Sequence, residues 1–140
     1  MTAPNSAYLL AATEHLNQCE EDLRALREIL QARSLQRLEQ HAAERTLQVL
    51  IEAAIGLAKH WVKKETGFSS SDAYSAFENL SNRGLIAESS GWRKTVGLRN
   101  VLVHDYLNVD AQIVRDVISH QYYEEILSFG RQAIKALSSY

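Results

Sequence analysis

A short segment in the C-terminal half of the chain carries side chains that could act together on a phosphodiester. Arg99, His104 and Tyr106 all lie in the stretch 99–106. Arginine is permanently cationic and suits phosphate binding, whereas histidine titrates near neutral pH and can move a proton at cellular pH. Together the arginine and the histidine favour phosphodiester cleavage, and we expect the chemistry of the protein in this segment.

The spacing of Arg99 and His104 decides whether one chain can bring them together. Five positions on an ideal helix turn a side chain through about 500°, so the two would point about 140° apart. We expect the helix to end inside the motif. If it loosens near Val103, with Asp105 and Tyr106 in the following turn, His104 can swing toward Arg99. Alternatively, a two-fold partner places a second copy of the motif across a shared cleft.

The elements that must position this segment are predicted to be helices. The chain of 140 residues has one proline and six glycines, and its apolar residues recur with helical period. The fold class is therefore an all-α bundle of four to five helices with a long antiparallel helical pair, in a single domain over 1–140. The predicted helices cover about 6–32, 35–65, a short helix capped within 69–72 that runs through Leu80, 88–103, and one last helix from Asp110 nearly to the C-terminus.

Polar residues and glycine mark several of these helix ends. Lys63 and Lys64 precede Gly67, which is the pattern of a helix C-terminus with a left-handed glycine cap. The run Ser69–Asp72 offers candidate N-caps for a short helix, and Asp110 is the candidate N-cap of the last helix.

Composition limits the kind of protein this can be. The single cysteine, Cys19, excludes an intramolecular disulfide, and no histidine close to it in sequence suggests an activated thiol, so we expect it to be buried on a helix. The segment Met1–Ser6 lacks the basic start of a signal peptide, and no apolar run approaches the roughly 18 residues of a membrane span. We expect a cytoplasmic protein that does not enter a membrane.

The charge and the histidine pattern narrow the choice of ligands. A net charge of -2 argues against a general nucleic-acid coat, so any RNA contact must be local. The spacing of the other histidines does not resemble a metal site, and we expect neither a metal nor another cofactor. These histidines are His15, His41, His60 and His120.

The two tryptophans, Trp61 and Trp92, are interpreted as core anchors rather than platforms for base stacking.

The stretch from Gly97 to Tyr106 resembles the R-x-x-x-x-H-x-Y signature of HepT toxins, members of the HEPN (higher eukaryotes and prokaryotes nucleotide-binding) superfamily. The segment 51–55 with His60 is similar to the second-helix pattern of that family, and the segment 73–78 to its short third helix. The resemblance covers roughly residues 45–115.

The resemblance implies a helical bundle, homodimerisation and metal-independent endoribonuclease activity on tRNA or mRNA. It makes Arg99 and His104 the catalytic pair. His104 would take the proton from a ribose 2′-OH or give one to the leaving oxygen, and Arg99 would stabilise the phosphorane. Asn100 would orient the imidazole or the phosphate, and Asp105 is a further supporting residue.

The resemblance also implies a protein partner. Toxins of this family are usually paired with a minimal nucleotidyltransferase antitoxin, MntA, as a homodimer or in a larger hetero-oligomer. In some systems the antitoxin transfers AMP to the motif tyrosine, which is Tyr106 here. We expect the Tyr106 hydroxyl to stand exposed at the mouth of the cleft.

One position departs from the family pattern. The family often has an aspartate between the glutamate and the histidine of its second helix, and this chain has Gly56 there. Glu52, Gly56 and His60 share one helical face. Because Gly56 removes the carboxylate from that face, Glu52 and His60 are retained only as contributors from the second helix. A non-enzymatic helical scaffold for a nucleotidyltransferase is the alternative function, which RNA cleavage by the purified protein would exclude.

Overall fold

The computed structural model describes residues 6–139, so most of Met1–Ser6, on which the signal-peptide prediction rests, lies outside the described residues. All regular elements in this range are helical, which confirms the predicted all-α class. In chain order they are α1 Ser6–Ala32, α2 Arg37–Thr66, α3 Ala73–Asn82, α4 Ser90–His104, a 3₁₀ turn Tyr106–Asn108, α5 Ala111–Ser119 and α6 Tyr123–Ser138.

The two longest helices, α1 and α2, form the predicted antiparallel pair. The apolar residues that recur along α1 are buried, among them Leu16 and Leu23. Tyr8 near the start of α1 contacts the His60 ring near the end of α2 in a tilted arrangement, while His15 Nε2 lies 3.3 Å from the carbonyl oxygen of Val49. These contacts show that the two helices run in opposite directions, and α4 packs against α2.

The predicted helix ends are confirmed at three places. Gly67 follows α2 in the left-handed conformation with φ of 81°. The Asp72 side chain accepts a hydrogen bond of 2.8 Å from the Ser75 N–H at the start of α3, and Asp110 accepts one of 2.9 Å from the Gln112 N–H at the start of α5. Each cap satisfies a backbone group that the helix cannot pair internally.

The prediction of one last helix is wrong, because the chain breaks into α5 and α6 at residues 120–122. Gln121 adopts a left-handed backbone conformation with φ of 57°. For a residue other than glycine this costs roughly 1–2 kcal/mol. The turn lets Ile118 at the end of α5 and Tyr123 at the start of α6 both be fully buried, and that burial offsets the cost of the turn.

An aromatic cluster joins α2, α3, α4 and α6 and confirms both tryptophans as core anchors. Trp92 stacks on Phe77 with ring centroids 3.9 Å apart and meets Phe129 edge to face at 5.0 Å. Trp61 contacts Phe129 from the other side at 6.2 Å. The cluster anchors the beginning of α4, so the end of α4 projects toward the first half of α2.

Cys19 is buried on α1, as predicted. The expectation that no histidine lies near it is wrong, since His15 Nε2 is 3.7 Å from its Sγ one turn away. Burial, with a further contribution from Asp22, raises the pKa of the thiol to about 11. The contact therefore does not produce a reactive thiolate.

Candidate functional site

The helix that carries the motif, α4, continues as far as His104. α4 ends at His104, and the Asp105 N–H donates a hydrogen bond of 2.9 Å to the Val101 carbonyl. The helix therefore does not loosen near Val103, and the expected swing of His104 toward Arg99 does not occur. On one regular helix the two side chains remain about 140° apart.

His104 lies on an open stripe of α4. Arg93, Gly97, Asn100 and His104 are all exposed, and their spacing of four, three and four residues places them on one helical face. A Cβ atom added at Gly97 would meet nothing within 4 Å among the described residues. The stripe is therefore free to receive another molecule along its length.

Arg99 lies at the border between this stripe and the body of the protein. Its side chain is half-buried, and its Nε is buried without a hydrogen-bond partner anywhere in residues 6–139. A buried guanidinium nitrogen that lacks an acceptor is unusual, because the missing hydrogen bond costs free energy. Because this Nε is closed off from solvent, an anionic group can reach Arg99 only through its terminal nitrogens, which form no hydrogen bond within residues 6–139.

Tyr106 begins the 3₁₀ turn that follows α4, as expected for a residue just beyond the helix. Its residue surface is 48% exposed, but its hydroxyl is not free, contrary to our expectation. The hydroxyl donates a hydrogen bond of 2.8 Å to Oε1 of Glu44 on α2. This hydrogen bond, together with some burial and the charge of Glu44, raises the pKa of the Tyr106 phenol.

Glu44 contacts the motif and was not among the residues that the sequence predicted there. It is only 7% exposed, and its second oxygen accepts a hydrogen bond of 2.9 Å from Gln40 Nε2. The Gln40 oxygen in turn accepts from Arg115 Nη1 at 3.5 Å. A signal was present, because Glu44 occupies a position on the same seam as Leu47 and Ile51, where an apolar residue is expected.

Asp105 shapes the turn between His104 and Tyr106. Its backbone carbonyl accepts a hydrogen bond of 2.9 Å from the Asn108 N–H, and its side chain accepts one of 2.7 Å from Asn108 Nδ2. Both bonds hold the 3₁₀ turn against the end of α4. The structure therefore gives Asp105 a role in the conformation of the turn.

The second-helix residues Glu52 and His60 contact residues outside the motif. Gln48 Nε2 donates a hydrogen bond of 3.1 Å to Glu52, and the His60 ring contacts the Tyr8 ring in a tilted arrangement with centroids 4.7 Å apart. A Cβ added at Gly56 would lie 3.4 Å from the Tyr8 hydroxyl. The start of α1 thus covers part of this face of α2, while Glu52 and His60 remain exposed. Burial and then the charge of Lys63 lower the pKa of His60.

Two further structural features bear on function. Across residues 6–139, no group of three or more histidine, cysteine, aspartate or glutamate side chains is arranged to hold a metal ion. In the same part of the chain, every helix is too short or too polar to cross a membrane.

Known proteins similar in sequence include one that degrades RNA. An mRNA nuclease HepT from Shewanella oneidensis is 34% identical over 76 residues, which make up 53% of this chain. The alignment spans 57% of the length of that relative, or little more than half of it.

Solved structures with the same fold come from toxin-antitoxin complexes. A tri-AMPylated Shewanella oneidensis HEPN toxin in complex with an MNT antitoxin superposes with a TM-score of 0.75 at 23% identity, over 96% of this chain and 98% of that one. A toxin-antitoxin structure with AMP-PNP superposes with a TM-score of 0.72 at 23% identity, over 96% of this chain and 99% of that one. At these identities the likeness establishes the fold.

The match to a protein family covers most of the chain. Residues 10–132 match the family described as Ribonuclease HepT-like, from the first turns of α1 into the last part of α6. The match includes α4, its motif and the turn that holds Tyr106. The chain therefore belongs to the Ribonuclease HepT-like family.

Proposed function

We propose that this protein is the toxin of a toxin-antitoxin pair, an endoribonuclease that cleaves tRNA or mRNA without a metal ion. The observation that carries the proposal is the open end of α4. There His104 is exposed, and Arg99, half-buried on the same last turns of the helix, forms no ion pair within residues 6–139. Membership of a family of ribonucleases supports the same reading.

The proposed reaction is attack of a ribose 2′-OH on the adjacent phosphate. His104 takes the proton from the 2′-OH or returns one to the leaving 5′ oxygen, since imidazole serves as either base or acid near neutral pH. Arg99 stabilises the pentavalent phosphorane by charge-assisted hydrogen bonds. Asn100, exposed on the same stripe as His104, orients the imidazole or the phosphate.

A second copy of the chain completes the site in this proposal. One regular helix keeps Arg99 and His104 about 140° apart, whereas two α4 helices facing each other can aim both kinds of side chain at one phosphate. Exposed apolar groups near the end of α4 suit such an interface, with Val103 41% and Leu107 95% exposed. Two copies also double the local positive charge in a protein that is acidic as a whole.

The proposed regulator is a nucleotidyltransferase antitoxin of the MntA type, bound to the toxin dimer or in a larger hetero-oligomer. The support comes from the AMPylated toxin that shares this fold and from the half-exposed ring of Tyr106 in the turn after α4. AMP attached to Tyr106 would place negative charge and bulk two residues from His104. We place the pair in the cytoplasm, where the free Cys19 would remain reduced.

Expression in cells tests the toxin role. Wild type is expected to arrest growth, and Arg99→Ala and His104→Ala are expected to be harmless while their helical content by circular dichroism is unchanged. His120→Ala is the matched control, because His120 is exposed and stacks on Tyr122 at 5.5 Å in the turn between α5 and α6. Arrest by His104→Ala as strong as that by wild type would contradict the assignment and favour a scaffold.

Co-expression with the antitoxin tests the regulation. Wild type is expected to gain the mass of AMP, and Tyr106→Phe is expected to remain toxic and unmodified. An identical adduct on Tyr106→Phe would place the modification elsewhere.

A further inference from the structure

Glu44 is a buried acidic residue that accepts a hydrogen bond from the Tyr106 hydroxyl. Oε1 accepts from the Tyr106 hydroxyl at 2.8 Å, and Oε2 accepts from Gln40 at 2.9 Å. Both oxygens of Glu44 therefore act as hydrogen-bond acceptors, as the oxygens of a carboxylate do. Glu44 forms no ion pair within residues 6–139. Burying a carboxylate without a cation is unfavourable, and this points to a functional reason for its position.

A pocket of 250 Å³ opens beside this pair. Arg37 and His41 line it together with Glu44, Tyr106 and Leu107. Arg37 and His41 are exposed and one turn apart on α2, so they lie on one face of the helix. A guanidinium and an imidazole are groups that bind phosphate.

We propose that Glu44 is the general base for nucleotidyl transfer to Tyr106, and that Arg37 and His41 bind the phosphates of the incoming nucleoside triphosphate. The inference rests on the proposed function of Tyr106 as the modified residue. The Tyr106 oxygen forms a bond to the α-phosphorus, and the bond from that phosphorus to the oxygen bridging to the β-phosphate breaks. Pyrophosphate leaves, and the phenolic proton passes to Oε1 of Glu44.

The geometry suits this proton transfer. A general base must lie within about 2.6–3.2 Å of the atom that loses its proton, and the measured 2.8 Å falls within that range. The Tyr106 proton points at Glu44, so the remaining lone pairs of the phenolic oxygen are available to the phosphorus. A tyrosine phenol, with an ordinary pKa of about 10, gives little free phenolate near neutral pH, so a base in direct contact with the hydroxyl speeds the transfer.

The positive charges around the pocket offset the repulsion between Glu44 and a triphosphate. A triphosphate approaching Glu44 meets a like charge, which disfavours binding. Arg37 supplies a permanent positive charge at the rim of the same pocket, and His41 adds a second one when protonated. Arg115 lies behind the carboxylate and reaches it through Gln40.

The test follows adduct formation on the purified full chain by intact-mass spectrometry, with the purified nucleotidyltransferase antitoxin and ATP. Glu44→Gln retains an oxygen acceptor but cannot take the proton, and its rate of modification is expected to fall about 10²- to 10⁴-fold. Glu65→Gln is the matched control, an exposed glutamate near the other end of α2, and is expected to react at the wild-type rate.

The pH profile separates a base from a structural contact. The rate for wild type is expected to stay nearly flat between pH 7 and 9. The rate for Glu44→Gln is expected to rise about tenfold per pH unit, because without a base only the phenolate reacts. A Glu44→Gln variant with a reduced rate and a flat profile would assign Glu44 a structural role and overturn the proposal.

Two further outcomes distinguish a failure of this proposal from a failure of the proposed function of Tyr106. If wild type is modified on Tyr106 and Glu44→Gln reacts equally fast, the antitoxin supplies the base, and only this inference fails. If wild type gains no adduct, the proposed function of Tyr106 fails together with it. If Glu44→Gln does not fold, Glu44→Asp replaces it in the test, because the shorter side chain keeps the carboxylate but holds it one methylene further from the phenol. Glu44→Asp is expected to react at least tenfold more slowly than wild type. An unchanged rate would overturn the proposal.

Discussion

The Tyr106 hydroxyl and the Glu44 carboxylate, 62 residues apart in sequence, meet in a hydrogen bond of 2.8 Å. The bond links the turn after α4 to the first half of α2. Because Tyr106 follows His104 by two residues, this contact helps fix the end of the helix on which the candidate catalytic imidazole lies. The conformation near the motif thus depends on a buried acidic group in another helix.

The stability of the Tyr106–Glu44 contact can be measured directly. Tyr106→Phe is expected to lower the free energy of unfolding by about 1 kcal/mol, because Glu44 loses one of its two hydrogen-bond donors while water can partly reach the site. Glu44→Leu combined with Tyr106→Phe is expected to cost less than the sum of the single changes. Urea denaturation of the four proteins gives the coupling energy, and strictly additive effects would show that the bond contributes nothing.

The proposed dimer makes a prediction for Gly97. In a single chain a Cβ at Gly97 meets nothing within 4 Å of it among the described residues, so Gly97→Leu is expected to leave the monomer folded. If α4 faces a second α4, the added side chain separates the two helices and weakens dimerisation at least tenfold. Gly91→Leu is the control, since Gly91 is equally open but lies outside the stripe. Sedimentation at micromolar concentration that finds both variants equally dimeric would place the interface elsewhere.

Two helical glycines are expected to respond in opposite ways to alanine. At Gly56 the new Cβ lies 3.4 Å from the Tyr8 hydroxyl, an ordinary contact, whereas at Gly130 it lies 2.8 Å from Cδ1 of the buried Leu16. The gain in helix propensity, about 1 kcal/mol, is the same for both. Gly130→Ala is therefore expected to be less stable than Gly56→Ala by roughly 1–3 kcal/mol, the cost of overpacking. Equal melting temperatures would contradict the close packing of α1 on α6.

Mild acid is expected to weaken the contact between α1 and α2. Burial and Lys63 lower the pKa of His60 from its ordinary value of 6.5. The stability that neutral His60 contributes is therefore complete above about pH 6.5 and declines as the pH falls through the folded-state pKa, because the unfolded chain takes up the proton first. His60→Phe keeps a ring against Tyr8 and is expected to lose less in melting temperature between pH 7.5 and 5.5 than wild type. An equal loss would exclude His60 as the cause.

Local patterns predicted much of the fold. The apolar repeat of α1, the glycine cap at Gly67 and the N-caps at Asp72 and Asp110 depend on residues close in sequence, and each was found where expected. The break at Gln121 had no such signal, because neither proline nor glycine marks it and only the burial of Tyr123 explains it.

The motif, too, was predicted from the sequence only in part. Its position at the end of α4 followed from the sequence, whereas the partner of the Tyr106 hydroxyl did not, since that contact depends on how α2 packs beside the turn. The path of α4 through His104 was also decided by packing, because Leu102 on its last turn is buried against the core.

In the proposed reaction, His104 cleaves RNA through the ribose 2′-OH without a metal ion. The most direct test is the rate of cleavage of an end-labelled RNA by purified wild type and His104→Ala in EDTA, with the product ends identified. We predict cleavage by wild type to a 2′,3′-cyclic phosphate and a 5′-OH, a rate about 10²- to 10⁴-fold lower for His104→Ala, and no cleavage where the 2′-OH is methylated. Equal rates for the two proteins, or cleavage of the 2′-O-methylated RNA, would contradict it.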